Sequence, residues 1–281
     1  MTFSGLETLR LDSHQLTALP PLSEHLHALF ADDNALHEFP ASVLQLPRLE
    51  RLHLRGNNLR VIPDAIGELR TLRDLRVGRN GLTSVPDSIG SLEQLMMLDL
   101  SENELATISG RIARLVNLRI LDLGHNAFAS LPDLDALTQL DVLYIHDNRL
   151  TALPALPRRI TYLNVSENAL AGLPPAIGDL PLLRELDASK NQLTTLPDSL
   201  RHLASLRELR LSGNHFLEVP EVITSLPSLT HLDLRRNRLL TIPESIANLP
   251  KLQKLDLRWN KLREEPRALA ILEERGCAVM R

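Results

Sequence analysis

The stretch Leu95-Met96-Met97-Leu98-Asp99-Leu100-Ser101-Glu102-Asn103-Glu104-Leu105 reads LxxLxLxxNxL, and its recurrence decides the fold. The frame returns with its asparagine at Asn34, Asn57, Asn80, Asn103, Asn126, Asn148, Asn168, Asn191, Asn214, Asn237 and Asn260, at intervals of 23, 23, 23, 23, 22, 20, 23, 23, 23 and 23 residues. An earlier copy, Leu6 to Leu16, carries His14 in that place, so twelve repeats cover residues 6 to 262. Within each frame the third to fifth positions alternate, which reads as a short strand with its leucine turned inward. Parallel strands need a return of about a dozen residues between them, and one is present each time. A proline opens eleven of the twelve returns, from Pro20 to Pro266; Ser109 stands in its place in the other. Apolar residues at helical spacing follow, as in Ile89, Leu92 and Leu95, and predict short helical turns. The asparagine, a polar group repeated inside a leucine frame, must be satisfied there, and its amide can bond the backbone of its own turn and of the neighbouring one.

This pattern resembles the leucine-rich repeat family. The resemblance implies an α/β fold: a right-handed solenoid with a curved, concave parallel β-sheet and short helical or 3-10 turns on the convex side. The 23-residue copies look like the bacterial and plant intracellular Ras-suppressor-type subclass. Two intervals of 20 residues, before Asn34 and before Asn168, carry shorter returns; the second, followed by Tyr162-Leu163-Asn164-Val165-Ser166-Glu167-Asn168, looks like the short repeat of bacterial type III-secreted ubiquitin-ligase effectors, and the mixture suggests a bacterial protein. Residues 1–262 are read as the solenoid. Residues 263–281 are read as its C-terminal cap, an amphipathic helix over Pro266 to Arg275, a stop at Gly276 and a final strand at Cys277 to Met280. Only five residues precede the first repeat, which leaves it barely covered.

Composition agrees with a repetitive core: 64 of 281 residues are leucine and only eight are Phe, Trp or Tyr. The lone Cys277 excludes a disulfide framework or a cysteine zinc cluster. With 31 basic and 35 acidic side chains the formal charge is −4, which gives no global attraction to nucleic acid or anionic lipid. No targeting segment or long apolar run is visible, so a cytoplasmic protein is expected, with translocation into a host cell as the alternative. No cofactor is expected. HExxH, glycine-rich phosphate loops and nucleophile elbows are missing, and Gly276-Cys277-Ala278 does not match the Cys-x-Asp motif of the bacterial ligases. His125 and His146 fall on adjacent repeats near Asp122 and Asp147, the one candidate surface metal site.

The frame also fixes the outward positions, the third, fifth, seventh and eighth of each repeat. Met97, Ile120, Val142, Tyr144 and Tyr162 then form an apolar and aromatic stripe where water is expected, a mark of interaction surfaces. Asp99, Asp122 and neighbouring carboxylates give it an acidic rim, and His146 lies beside it. Arginines collect at both ends, with Arg235, Arg258 and the only tryptophan, Trp259, at the C-terminal one. The simpler reading keeps the aspartates as a solvated face and the apolar third positions as strand formers. The function expected is a non-enzymatic scaffold binding a partner protein on its concave face. The alternative is the substrate-recognition module of a secreted bacterial effector. A monomer, or a weak homodimer through the uncapped first repeat, is expected.

Overall fold

In the computed structural model, which describes residues 5–264 and 266–281, positions three to five of every frame form a three-residue strand. The chain divides into two units, one ending at Leu140 and one beginning at Asp141. In the first, β1 (Thr8–Arg10), β2 (Ala28–Phe30), β3 (Arg51–His53), β4 (Asp74–Arg76), β5 (Met97–Asp99) and β6 (Ile120–Asp122) pair in chain order, all parallel. The second holds β7 (Val142–Tyr144), β8 (Tyr162–Asn164), β9 (Glu185–Asp187), β10 (Glu208–Arg210), β11 (His231–Asp233), β12 (Lys254–Asp256) and β13 (Ala278–Met280), again parallel and in order. The register aligns like with like: Leu75 faces Leu98, which faces Leu121. These central leucines are fully buried. A single residue type stacked on itself, repeat after repeat, therefore fills each core.

Eight of the returns carry a five-residue 3-10 turn, seven following a proline and one following Ser109. Proline presets the φ of about −70° at the entry to each turn. Ser109 reaches the same φ and caps the turn itself, its Oγ accepting from Arg111 N at 3.2 Å. The returns after Pro20, Pro132 and Pro154 form no such turn, which corrects the expectation of helical turns throughout. Those are the shorter returns, where the frame recurs after 20 or 22 residues, and they lack the residues to close one.

The asparagines form the ladder that their chemistry requires. Asn191 Nδ2 donates to the carbonyls of Ala188 and Ser189 in its own repeat and of Val165 one repeat back, while its Oδ1 accepts from Leu170 N at 3.0 Å. Asn103 repeats the pattern with Leu100, Ser101, Val77 and Leu82. The residue before each asparagine turns left-handed, including Arg79, Glu102, His125, Glu167, Lys190, Arg236 and Trp259, all with φ between 51° and 61°. This bend aims that residue's N–H at the next repeat, as Glu102 N does to Gly124 O at 2.9 Å.

At the C-terminus α1 (Arg267–Glu274) buries Ala268, Leu269 and Leu272, and Gly276 ends it with φ +85°. The chain then enters β13, with Cys277 buried.

Candidate functional site

Outward positions in the first unit do not all face water. Ala28 and Phe30 are buried, a correction to the alternation read from the frame. Phe30 lies beneath the Arg10 guanidinium, 3.9 Å from the ring centre, and meets His53 edge-on at 4.7 Å. Asp99 is also corrected: it is only 5% exposed and so does not form part of an open acidic rim. Its Oδ1 accepts from Ser101 N and Oγ at 2.9 and 2.6 Å, and its Oδ2 pairs with Arg55 at 3.1 Å. Arg55 also pairs with Glu102. Burial pulls the Arg55 guanidinium down, but Asp99 and Glu102 outweigh it and hold it above its usual value.

Asp122 is the register neighbour of Asp99 and receives no such cation of its own among the contacts described. Burial first, then the Asp99 charge, pushes its carboxyl up to about 6, against the N–H bond from Gly124 and the pull of Arg55 and His125. Met97 and Ile120, register partners and half-buried, supply an apolar patch on the same side of this sheet.

In the second unit the structure brings Val142, Tyr144 and Tyr162 together. Val142 faces Tyr162 in register, and the two phenol rings lie 5.0 Å apart at 47°. His146 meets Tyr144 at 6.1 Å, near edge-on. The stripe is thus described as two patches, one on each unit. Asn164, which the site reading passed over, faces Tyr144 in register and fixes itself by accepting from Ser166 N and Oγ. Its place at a fifth position of the frame was the signal that could have found it. Burial raises the Tyr162 hydroxyl pKa, with Tyr144, Asp187 and Glu185 adding to it and Arg210 opposing.

The C-terminal basic group is largely self-neutralised. Arg235 forks onto Asp233 at 2.7 and 2.9 Å, and Arg258 onto Asp256 at 2.6 and 2.9 Å, each two residues apart on one side of a strand. Trp259 is 59% exposed and lies between two guanidiniums, Arg236 at 4.8 Å and Arg258 at 5.2 Å from the ring centre. Among the described residues no group of three or more His, Cys, Asp or Glu could hold a metal ion, and no helix is long and apolar enough to cross a membrane.

Comparison with known proteins supplies the family. A model described as a leucine-rich repeat region matches residues 42–152 and 147–273. A leucine-rich repeat protein of Leptospira interrogans is 29% identical over 94% of this chain and 81% of its own, with a TM-score of 0.75. The ectodomain of the Arabidopsis thaliana receptor kinase GASSHO1/SCHENGEN3, solved in complex with CASPARIAN STRIP INTEGRITY FACTOR 2, is 30% identical over 91% of this chain, with a TM-score of 0.72; the match spans 35% of that ectodomain. The Drosophila Toll protein in its complex with Spatzle is 26% identical over 88% of this chain and 35% of its own, with a TM-score of 0.76. No curated protein matches the chain. The chain belongs to the leucine-rich repeat family, whose frame it carries twelve times.

Proposed function

We propose that this protein is a non-enzymatic scaffold that holds a partner protein against the outward side of its parallel strands. One observation carries the reading: Tyr144 and Tyr162, the only tyrosines in the chain, pack against each other on the side of β7 and β8 that the leucine core does not use. The core is complete without them. Large aromatic groups kept half in water serve contact better than folding, since they bring much apolar area at little cost in side-chain freedom. Val142 and His146 extend this patch, and Met97 and Ile120 beside Asp122 offer a second one. Arg235, Arg258 and Trp259 contribute polar and stacking contacts, which favour orientation and rate over raw affinity. That leucine-rich repeat proteins such as the plant receptor kinase and Toll were solved with protein partners supports the same use here.

The test replaces Tyr144 and Tyr162 together by alanine. Circular dichroism should show an unchanged fold, and partner recovered by affinity capture from the cell that makes the protein should fall by about tenfold or more, the scale of an aromatic anchor. Recovery of the same partners in undiminished amount by a folded double variant would reject these tyrosines as the contact.

A further inference from the structure

Resting on that protein-binding reading, we infer that the second unit selects a partner by charge order. It takes an extended polypeptide segment with a lysine or arginine on the tyrosine pair and an aspartate or glutamate about five residues away, at the Arg236–Trp259 end. The argument starts from which charges remain unpaired on β8 to β12.

Across β9 and β10 the outward third and fifth positions are Glu185, Asp187, Glu208 and Arg210, three carboxylates against one guanidinium. Arg210 is committed to Glu208 and to Glu185, the latter at 3.8 Å. Asp187 accepts Ser189 N at 3.0 Å and has no cationic group within 4.0 Å among the described residues. Its register neighbour on β8 is Asn164, and that of Glu185 is Tyr162, so the excess negative charge borders the phenol rings. A ring face beside a carboxylate attracts a cation twice over, through the quadrupole of the ring and through the charge.

Three and four strands beyond β8, the sign reverses. On β11, β12 and the residues just after them, Arg235, Arg236, Lys254 and Arg258 face only Asp233 and Asp256. The two carboxylates are taken by Arg235 and Arg258. Arg236 and Lys254 have no carboxylate within 4.0 Å among the described residues, and the Arg236 guanidinium lies over the Trp259 ring, 4.8 Å from its centre. Trp259 adopts φ +61° and keeps most of its surface in water. The left-handed step is the one every repeat takes before its asparagine; the exposed indole is particular to this repeat and leaves a ring open to stack on an incoming side chain. Strands about 4.8 Å apart put roughly 15–20 Å between the tyrosines and this arginine, the reach of about five extended residues. A segment with the opposite polarity would meet like charge at both ends, which makes the order, and not only the composition, selective.

The probe is a displayed library of random segments about a dozen residues long, enough to cover roughly 20 Å, selected on the full-length chain. Enriched segments should carry a basic residue separated from an acidic one by about four to six positions, in one sequence direction. A synthetic peptide from that set should bind about tenfold more weakly to Asp187→Asn, which keeps the Ser189 contact, and to Arg236→Gln, with thermal melts confirming that both variants fold. A charge-reversed copy of the peptide should lose binding to the unsubstituted protein. Enrichment of segments with no such order, or of ordered segments that ignore both variants, overturns the charge assignment and leaves protein binding standing. A library from which nothing is enriched overturns the segment proposal, while protein binding is decided by capture with the Tyr144 and Tyr162 variants.

Discussion

An aspartate at the fifth position of a repeat has two groups within reach, the N–H two residues on and whatever its neighbours in register carry. The first contact recurs: Asp99, Asp122, Asp187, Asp233 and Asp256 each accept from the backbone of the seventh residue, and Asn164 does the same. The row of carboxylates is therefore a set of side-chain turns that shape each strand exit, and not simply a solvated surface. The second contact differs among them. Asp256 has Arg258 and Arg235 beside it, which outweigh burial and hold its carboxyl below the usual range. Asp122 has Asp99 beside it instead, and burial first, then the Asp99 charge, raises its carboxyl to about 6. Since the folded pKa exceeds the ordinary 3.8, the folded state holds its proton more tightly than the unfolded one, and stability falls as pH climbs from about 4 to about 7. Asp122→Asn keeps the acceptor for Gly124 N and removes the ionisation. It should be more stable than the unsubstituted protein by about 1–2 kcal/mol at about pH 8, a figure discounted for partial exposure, with the difference vanishing near pH 4. Urea unfolding at the two pH values measures it; equal stability at the upper one would mean that the carboxylate is better solvated than its surroundings indicate.

At the scale of the element, the unit that repeats is a strand, a left-handed step, and a return whose 3-10 turn stacks on the next. Stacking of the turns depends on a small residue. A Cβ on Gly90 would come 2.5 Å from the Arg111 carbonyl oxygen, and one on Gly178 would overlap the Ser199 carbonyl oxygen. Both glycines follow the buried isoleucine of their turn, Ile89 and Ile177, so the turn beside them can approach until its backbone nearly touches. Gly90→Ala must push that backbone outward and should cost about 1–3 kcal/mol, the usual penalty for an overfilled site, despite the lower flexibility it gives the unfolded chain. Gly172→Ala, with nothing within 4 Å of the added carbon, should change stability by under about 1 kcal/mol and serves as the control. Thermal unfolding of the pair separates a packing effect from a general glycine effect. The strands and the asparagine ladder were legible because they depend on residues that repeat, and a period seen eleven times leaves no doubt about register. The pairing of Arg55 with Asp99 lies 44 residues apart and follows no period, so spacing alone could not reveal it. The Asp233–Arg235 and Asp256–Arg258 forks, in contrast, join the last residue of a strand to the residue two further on and were within reach of the same alternation that placed the strands. Phe30 was misplaced because Arg10 and His53 close over it, a matter of three neighbouring side chains and not of the frame.

For the whole molecule, a stack of near-identical turns has no natural end, and its last turn exposes the same leucines that every earlier turn covers. The sequence solves this at the C-terminus by changing period. After Pro266 the chain forms α1, whose Leu269 and Leu272 are each only 1% exposed, against the last 3-10 turn, Glu244–Asn248. Polar closure goes with it: Arg275 donates to the carbonyls of Ala247, Leu249 and Pro250, satisfying backbone acceptors of the preceding return. β13 then covers the open edge of β12, with Ala278 N donating to Gln253 O and Leu257 N to Met280 O. Arg281 returns to Glu273 at 2.9 Å and ties the strand to the helix. Removal of residues 266–281 would uncover a strand edge together with the apolar surface of the last turn, two features that template self-association. The shortened protein should melt at lower temperature and form concentration-dependent oligomers in light scattering. A second variant, Leu272→Ala, keeps every backbone bond of the cap and should lose about 2–4 kcal/mol while remaining monodisperse. Aggregation of the deletion alone assigns the edge protection to β13 and the stability to α1, whereas a deletion as stable and monodisperse as the full chain would show that the twelfth repeat closes itself.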